Sequence, residues 1–316
     1  MTTHSLIPTL ATLHGHFSRE LPPVLRIAPG DRVRFQTLDV RWAAFEQPDP
    51  FGTLTPFPGR DVERDPGHAI CGPVWIEGAR AGMTLEVRVR SLRVGRWGWT
   101  SAGGYPSHWN VKLGLDTLPH VHSPWSLDPD ALTGRDPKGR TVALQPFLGI
   151  MGMPPDEPGR HSTTPPRASG GNIDCKELVA GSTLYLPIPV DGALFSAGDG
   201  HAVQGDGEVA GPALECPFEA AELEFHLRPD LKLARPRANT PRGWVTFGFH
   251  DSLDEATAIA LSDMLDLLDE QLGCGRREAL ALSSLVVDLH VTQIVNGVRG
   301  VHAMLAHDAL AKLMTR

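Results

Sequence analysis

The sequence predicts a mainly β protein: a β-sandwich, a second β-rich, barrel-like unit and a C-terminal α+β unit. Three observations point there. Glycine and proline, 33 and 28 of 316 residues, are spread along the chain and punctuate short apolar runs rather than forming a low-complexity tract. Runs such as Arg32-Val-Arg-Phe-Gln36 and Leu85-Glu-Val-Arg-Val-Arg90 alternate strictly, the pattern of strands with one buried face. Helical spacing of apolar residues is concentrated near the C-terminus. The expected organisation is a sandwich over residues 1–160, a β-rich unit over 161–240 and an α+β unit over 241–316.

Taken in order, strands are expected at Leu25–Ile27, Arg32–Thr37, Val74–Glu77 and Thr84–Leu92, with Pro29-Gly-Asp31 and Ala81-Gly-Met83 as the turns before strands. Residues 123–140 and 152–171 show little periodicity and read as long loops, a class rich in lids and linkers. Strands resume at Thr183–Val190 and at Ala221–Arg228, where Leu223, Phe225 and Leu227 alternate, and residues 229–242 read as a partly exposed connector. Ser252-Leu-Asp-Glu255 is a capping box. It opens a helix bearing Leu261, Leu265, Leu268 and Leu272, which Gly273 and Gly275 stop. A second helix over Arg276–Ser284, a strand over Val286–Val295, a hairpin at Asn296-Gly297 and a return strand over Val298–Met304 complete the unit.

Composition narrows the function classes. Acids (37) and bases (29) are interspersed at a net charge of −8, and no basic stripe suggests a nucleic-acid partner. No apolar run approaches the roughly 20 residues of a membrane span, and the first residues lack the basic and apolar regions of a signal peptide. Four widely spaced cysteines form no CxxC pair and read as reduced, mostly buried thiols in a cytoplasmic protein. A symmetric homodimer is the expected assembly.

The stretch Gly198-Asp-Gly-His-Ala-Val-Gln-Gly-Asp-Gly-Glu208 concentrates functional groups among small residues. It follows an apolar strand and reads as a loop, where chemistry often sits. Its acids, imidazole and amide are groups that bind metals and move protons. If extended, it places Asp199 and His201 on one face and Asp206 and Glu208 on another; the repeated Asp-Gly also fits a plain hairpin turn. In Gly170-Gly-Asn-Ile-Asp174, Asn172 and Asp174 point to the same side of an extended segment, although an Asx turn fits as well. His120 and His122 read as a surface turn. His161, in a Ser/Thr/Pro loop, either orients a ligand or bonds the loop. Asp39 ends a strand and could reach a site, and Glu215 on its own reads as a solvated carboxylate. Cys175, Lys176 and Glu177 cannot all point to one centre on a strand, so Cys175 reads as a small buried residue. No G-x-S-x-G elbow is present.

Several blocks carry a family resemblance. The 198–208 stretch resembles the signature of the acetamidase/formamidase family. So do Leu21-Pro-Pro-Val-Leu-Arg-Ile-Ala-Pro-Gly-Asp31, Cys71-Gly-Pro-Val-Trp-Ile-Glu-Gly78, Gly82-Met-Thr-Leu-Glu-Val87, His161-Ser-Thr-Thr-Pro-Pro-Arg167, Gly170-Gly-Asn-Ile-Asp-Cys-Lys-Glu-Leu178 and Thr292-Gln-Ile-Val-Asn-Gly297, in order along the chain. Residues 144–153 match only loosely, and the segment from Trp97 to Trp109 is unusually rich in Trp and Gly. The resemblance implies a hydrolase of short aliphatic amides, of formamide or acetamide type, with a metal-bearing site and a histidine near His14. Residue types suggest the division of labour. Asp174, Asp199, His201 and Asp206 are candidate ligands for a divalent metal. Zinc would suit His plus carboxylates, and calcium an all-oxygen set from Asp199, Asp206 and backbone carbonyls. Glu208 is the candidate proton shuttle, with Asp39 and His14 as further catalytic candidates. Asn172, His161 and Gln204 are candidate substrate contacts. The rival expectation is a non-catalytic ligand- or carbohydrate-binding β-sandwich in which Trp97, Trp99 and Trp109 supply stacking surfaces.

Overall fold

The computed structural model describes residues 1–314. The first ten strands are β1 (Thr3–Leu6), β2 (Leu13–His14), β3 (Leu25–Ile27), β4 (Arg32–Thr37), β5 (Ile70–Ile76), β6 (Thr84–Val94), β7 (Trp97–Ala102), β8 (Val121–Asp128), β9 (Thr133–Arg135) and β10 (Thr141–Ala143). The others are β11 (Phe147–Gly152), β12 (Gly170–Asn172), β13 (Thr183–Pro187), β14 (Phe195–Val203), β15 (Leu214–Glu215), β16 (Phe218–Arg228), β17 (Arg237–Asn239), β18 (Gly243–His250), β19 (Val287–Gln293) and β20 (Arg299–Ala306). The helices are α1 (His108–Lys112), α2 (Leu253–Leu272), α3 (Arg276–Val286) and α4 (His307–Met314).

Two sheets share these strands. One has nine strands in the order β1-β4-β16-β6-β13-β17-β18-β20-β19. The other has eleven: β10-β9-β8-β7-β15-β14-β11-β12 form its path, and β5 joins β14 to β2 and β3. Alternation drives the packing. Val33 and Phe35 on β4, Leu85 and Val87 on β6, and Leu223 and Phe225 on β16 are buried in one core with Val74, Leu148 and Phe195 of the other sheet. Phe195 sits edge-on to Phe225 at 5.0 Å and to Phe35 at 6.3 Å, which ties the layers together. The mainly β expectation holds, with the long helices gathered near the C-terminus. The expected boundaries near 160 and 240, by contrast, do not part the sheets. β16 of the middle segment lies between β4 and β6 of the first, and β17 pairs with β18 of the last. The three ranges are stretches of one interleaved chain.

The C-terminal elements form as their sequence dictates. The Ser252 side chain accepts from the Glu255 N–H at the start of α2, and Gly273 ends the helix with φ 63°. Ala256, Ala260, Met264 and Leu268 of α2 pack on Val301, Ala303 and Leu305 of β20. Three expectations need correcting. Residues 123–140 are not a loop: β8, β9 and β10 form an antiparallel meander at the edge of the eleven-stranded sheet. The connector 229–242 carries the short strand β17. Finally, Gly198–Val203 is not loop but the second half of β14, a buried strand paired with β5, β11 and β15. Only residues 204–211 form a loop. That loop is stitched to the end of β19 by Gly207 N–H to the Thr292 carbonyl (3.1 Å) and Ile294 N–H to the Gly207 carbonyl (3.1 Å).

Candidate active site

β14 explains why small and functional residues alternate in this chain. Asp199 and His201 fall on one face of the strand. Gly198 and Gly200 fall on the other, where a Cβ at Gly200 would collide with the Phe218 ring and one at Gly198 would lie 2.5 Å from the Ala69 carbonyl. A second close approach comes from β11. Gly149 lies between Leu148 and Ile150, which pair with Gly200 and Gly198. A Cβ there would sit 2.6 Å from both Asp174 Oδ1 and Asp199 Oδ2 and 3.0 Å from His201 Cε1. The missing side chain of Gly149 leaves room for the polar cluster.

His201 is fixed on three sides. Phe147 meets its ring edge-on at 5.0 Å. Gln204 donates its amide N–H to the Asp174 carbonyl (2.8 Å), so its amide oxygen faces His201 Nδ1 at 3.0 Å and accepts that N–H. This leaves His201 Nε2 facing the carboxylates. Nε2 lies 3.4 Å from Asp199 Oδ1 and 3.4 Å from Glu215 Oε1. Asp174 reaches the cluster from the turn after β12. Its backbone N–H bonds the Gly149 carbonyl, and its Oδ2 accepts from the Asn296 amide at 2.6 Å. Glu208 arrives on the 204–211 loop. Asp174, Asp199 and Glu208 have φ of 50°, 57° and 46°. Such left-handed conformations are unfavourable for residues with a Cβ and collect at functional sites.

The cluster leaves its polar atoms bare. Asp174 Oδ1, Asp199 Oδ1, His201 Nε2, Glu208 Oε2 and Glu215 Oε2 are all buried without a hydrogen-bond partner. Buried polar atoms of this kind ordinarily find partners. Asp174, His201 and Glu208 offer ligand atoms within 4.8 Å of one another, as do Asp199, His201 and Glu215. Electrostatics point the same way. Burial opposes a charge on His201, but the Glu215 and Asp199 carboxylates outweigh it and push its pKa up to about 10. Burial and the Asp199 charge push Asp174 up to about 7. Burial, with the neighbouring carboxylates, holds Glu208 and Glu215 well above the usual range. Four buried carboxylates around one imidazole call for positive charge. A divalent cation fits the imidazole-plus-carboxylate donor set.

Asp199, Glu208 and Glu215 of the cluster form the buried floor of a cavity of about 590 Å³. Asn172, Thr164, His68, Trp99 and Tyr105 line it above Asp199, Glu208 and Glu215. Asn172 donates to the Thr164 carbonyl at 3.0 Å, and its Oδ1 is buried and unpartnered.

Other expected site residues take different places. His14 is buried away from the cavity lining: Nδ1 is 2.6 Å from the His16 carbonyl and Nε2 2.9 Å from Ser196 Oγ. Burial lowers its pKa to about 4, so it is a neutral structural imidazole. Asp39 is buried with its carboxylate taken by Trp99 Nε1–H (2.8 Å) and Ala43 N–H (2.6 Å); it positions Trp99. His161 Nε2 bonds the Glu157 carbonyl at 2.9 Å, within its own loop. Gln204 orients His201 instead of lining the cavity. Asp206 turns away from Glu208, towards Lys176 Nζ (2.7 Å) and His290 Nδ1 (3.0 Å), and groups with His290 and His302. The all-oxygen set from Asp199 and Asp206 therefore does not assemble. Trp97 is buried, and the indole N–H groups of Trp97 and Trp109 bond the Phe45 and Ile294 carbonyls. Glu215, His68, Asn296 and Gly149 were missed. Of these, Glu215 reads in the sequence as a solvated carboxylate after the apolar Ala213-Leu214, and Asn296 as a hairpin turn; the register of β15 sets Glu215 opposite His201.

Comparison with known proteins identifies the family. A profile of the Acetamidase/Formamidase family matches residues 3–161 and 157–240. An acetamidase of Mycolicibacterium smegmatis is 25% identical over 252 residues, covering 62% of this chain and 61% of that protein. A formamidase of Methylophilus methylotrophus is 25% identical over 248 residues, covering 62% and 59%. The chain thus spans about three-fifths of the length of these curated relatives. The crystal structure of an acetamidase from Bacillus halodurans superposes with a TM-score of 0.83 at 27% identity, covering 98% of this chain and 100% of that one. With the profile spanning well over half its length, the chain belongs to the Acetamidase/Formamidase family.

Proposed function

We propose that this chain is a metal-assisted amidase that hydrolyses short linear amides to a carboxylate and ammonia. The observation that carries the reading is the set of five bare, buried polar atoms, in two ligand-like groups that share His201, with Asp199, Glu208 and Glu215 lining one cavity. Its relatives' names, acetamidase and formamidase, supply the reaction class.

His201 Nε2, Asp174 and Asp199 would hold the metal, with Glu215 beside the same nitrogen, 3.4 Å from Nε2. The mixed imidazole and carboxylate set favours zinc over calcium. A bound divalent ion polarises the amide carbonyl and lowers the pKa of water. Glu208 is the proton carrier of this reading. Its Oε2 has no partner, and burial raises its proton affinity above that of an ordinary carboxylate. It takes a proton from the attacking water and delivers it to the departing nitrogen, so the amide and one water yield the carboxylate and ammonium. Asn172 Oδ1, bare in the cavity wall, accepts the amide N–H₂ and orients the substrate. Gln204 keeps His201 in the ligand tautomer.

No helix among the described residues is long and apolar enough to cross a membrane. A cytoplasmic homodimer remains part of the reading, and light scattering tests the assembly. The decisive experiment is metal analysis of the purified protein beside ammonia release from formamide and acetamide, with and without chelator. A metal-replete protein that releases no ammonia from any short amide would sink the proposal.

A further inference from the structure

The floor of the cavity is acidic, but its exposed rim is basic. Arg41 and Arg60 both line it. Arg41 is exposed and lies flat over the Trp99 ring, its guanidinium carbon 3.8 Å from the ring centroid. Among the described residues no carboxylate pairs with its guanidinium, in a chain that carries more acids than bases. Arg60 uses Nε and Nη2 on the Asp65, Pro66 and Gly67 carbonyls, stacks over Trp42 at 4.8 Å and, among the described residues, makes no ion pair.

The rim is also built rigidly. Trp99 is buried, and its N–H is held by Asp39, itself fixed by the Ala43 N–H. The stacked guanidinium keeps its planar fork of N–H donors free, the geometry suited to a carboxylate. A cavity of about 590 Å³ is the size of a site for a larger small molecule, whereas acetamide displaces only a few waters.

Resting on the amidase reading above, we infer that the preferred substrate is a short amide whose other end is a carboxylate. The amide group lies on the floor at Asn172 and Glu208. The carboxylate lies at the rim against Arg41, with Arg60 adding positive potential. Hydrolysis of such a monoanion by one water breaks its C–N bond and gives a dicarboxylate and ammonium. Arg41 is then the residue that sets specificity, and Asp39 positions it through Trp99.

The test compares kcat/KM for succinamate with that for the neutral butyramide in the same metal-loaded protein. The wild type should prefer succinamate, and the preference should shrink as salt rises. Arg41→Gln should lower the succinamate-to-butyramide ratio by about 10- to 100-fold, the value of a charge-assisted hydrogen bond. Arg41→Glu should lower it further. A ratio that favours butyramide in the wild type, or that Arg41→Gln leaves unchanged, overturns the inference while leaving the amidase reading intact. Calorimetric titration with succinate separates the two failures. If no amide is cleaved, the amidase reading falls, and the anion site stands only if Arg41→Gln weakens succinate binding. Succinate binding that is absent, or indifferent to Arg41→Gln, overturns it.

Discussion

Glu215 and Glu224 have the same side chain and the same burial, each 2% exposed, yet opposite surroundings. Glu224 sits on the nine-stranded sheet amid an arginine ladder. It accepts from Arg90 Nη2 (2.8 Å), Arg90 Nε (2.9 Å) and Arg32 Nε (2.9 Å), and bonds His226 at 2.7 Å. Hydrogen bonds from Arg90 and its neighbours hold its carboxyl far below the usual range. Glu215, on the eleven-stranded sheet, accepts the Ala213 N–H, and among the described residues its Oε2 has no hydrogen-bond partner. Burial pushes its carboxyl well above the usual range. A buried carboxylate whose cations are supplied by the protein is part of the scaffold. One whose cation is missing marks a place where a ligand or a proton belongs.

The comparison can be broken or sharpened by substitution. The largest effect should be on turnover. Glu208→Gln keeps the shape and removes the titratable proton, and should lower amide turnover by roughly 10²–10⁴ at an unchanged or higher melting temperature. Full turnover in this variant would remove Glu208 from the mechanism.

A second expectation concerns pH. The Asp174 pKa rises from the ordinary 3.8 to about 7 in the fold. The folded, metal-free protein therefore binds this proton more tightly than the unfolded chain, and the fold loses stability as pH rises from about 4 to about 7. Asp174→Asn removes that loss. In chelated samples its melting temperature should pull ahead of wild type over this window, by up to a few kcal/mol of stability. A constant difference across pH would contradict the electrostatic account.

Metal affinity should respond next. Gln204→Leu frees the His201 tautomer and should weaken metal binding by about 10- to 100-fold, read by competition with a chromogenic chelator. Unchanged affinity would show that Phe147 and the strand fix the ring without Gln204.

The smallest effect separates the two glutamates directly. Glu224→Gln should destabilise by about 1–3 kcal/mol, less than for a fully buried pair because its arginines are about a third exposed. Its folded pKa is depressed, so that penalty is full above about 4.5 and fades as pH falls below it. Glu215→Gln should instead raise the melting temperature of the metal-free protein. Thermal melts of both variants in chelator are the check, and shifts of the same sign would end the contrast.

Local chemistry accounts for what was legible in the chain. Strict alternation marked β4, β6 and β16 because a two-residue period is a property of neighbours in sequence. The Ser252 cap and Gly273 marked the ends of α2 for the same reason. Asp199 and His201 stood out because a strand squeezed against Phe218 and Ala69 needs glycine at 198 and 200, which leaves the functional residues spelled out between them; Glu208 stood out in the Gly-rich loop that follows. Asn172 and Asp174 were visible in their turn.

Tertiary structure decided the rest. Glu215 became a site residue only through its register opposite His201, and Asn296, which resembled a plain hairpin turn, through its reach to Asp174 across 122 residues. Gly149 matters because Asp199 of β14 and Asp174 of the turn after β12 approach it. The converse held for His14, Asp39, His161, Gln204 and Asp206, whose types suit catalysis but whose polar atoms the fold engages elsewhere. Residue type fixes what a group can do. Whether its lone pair is left bare depends on which distant strand lies beside it, and burial makes that difference large.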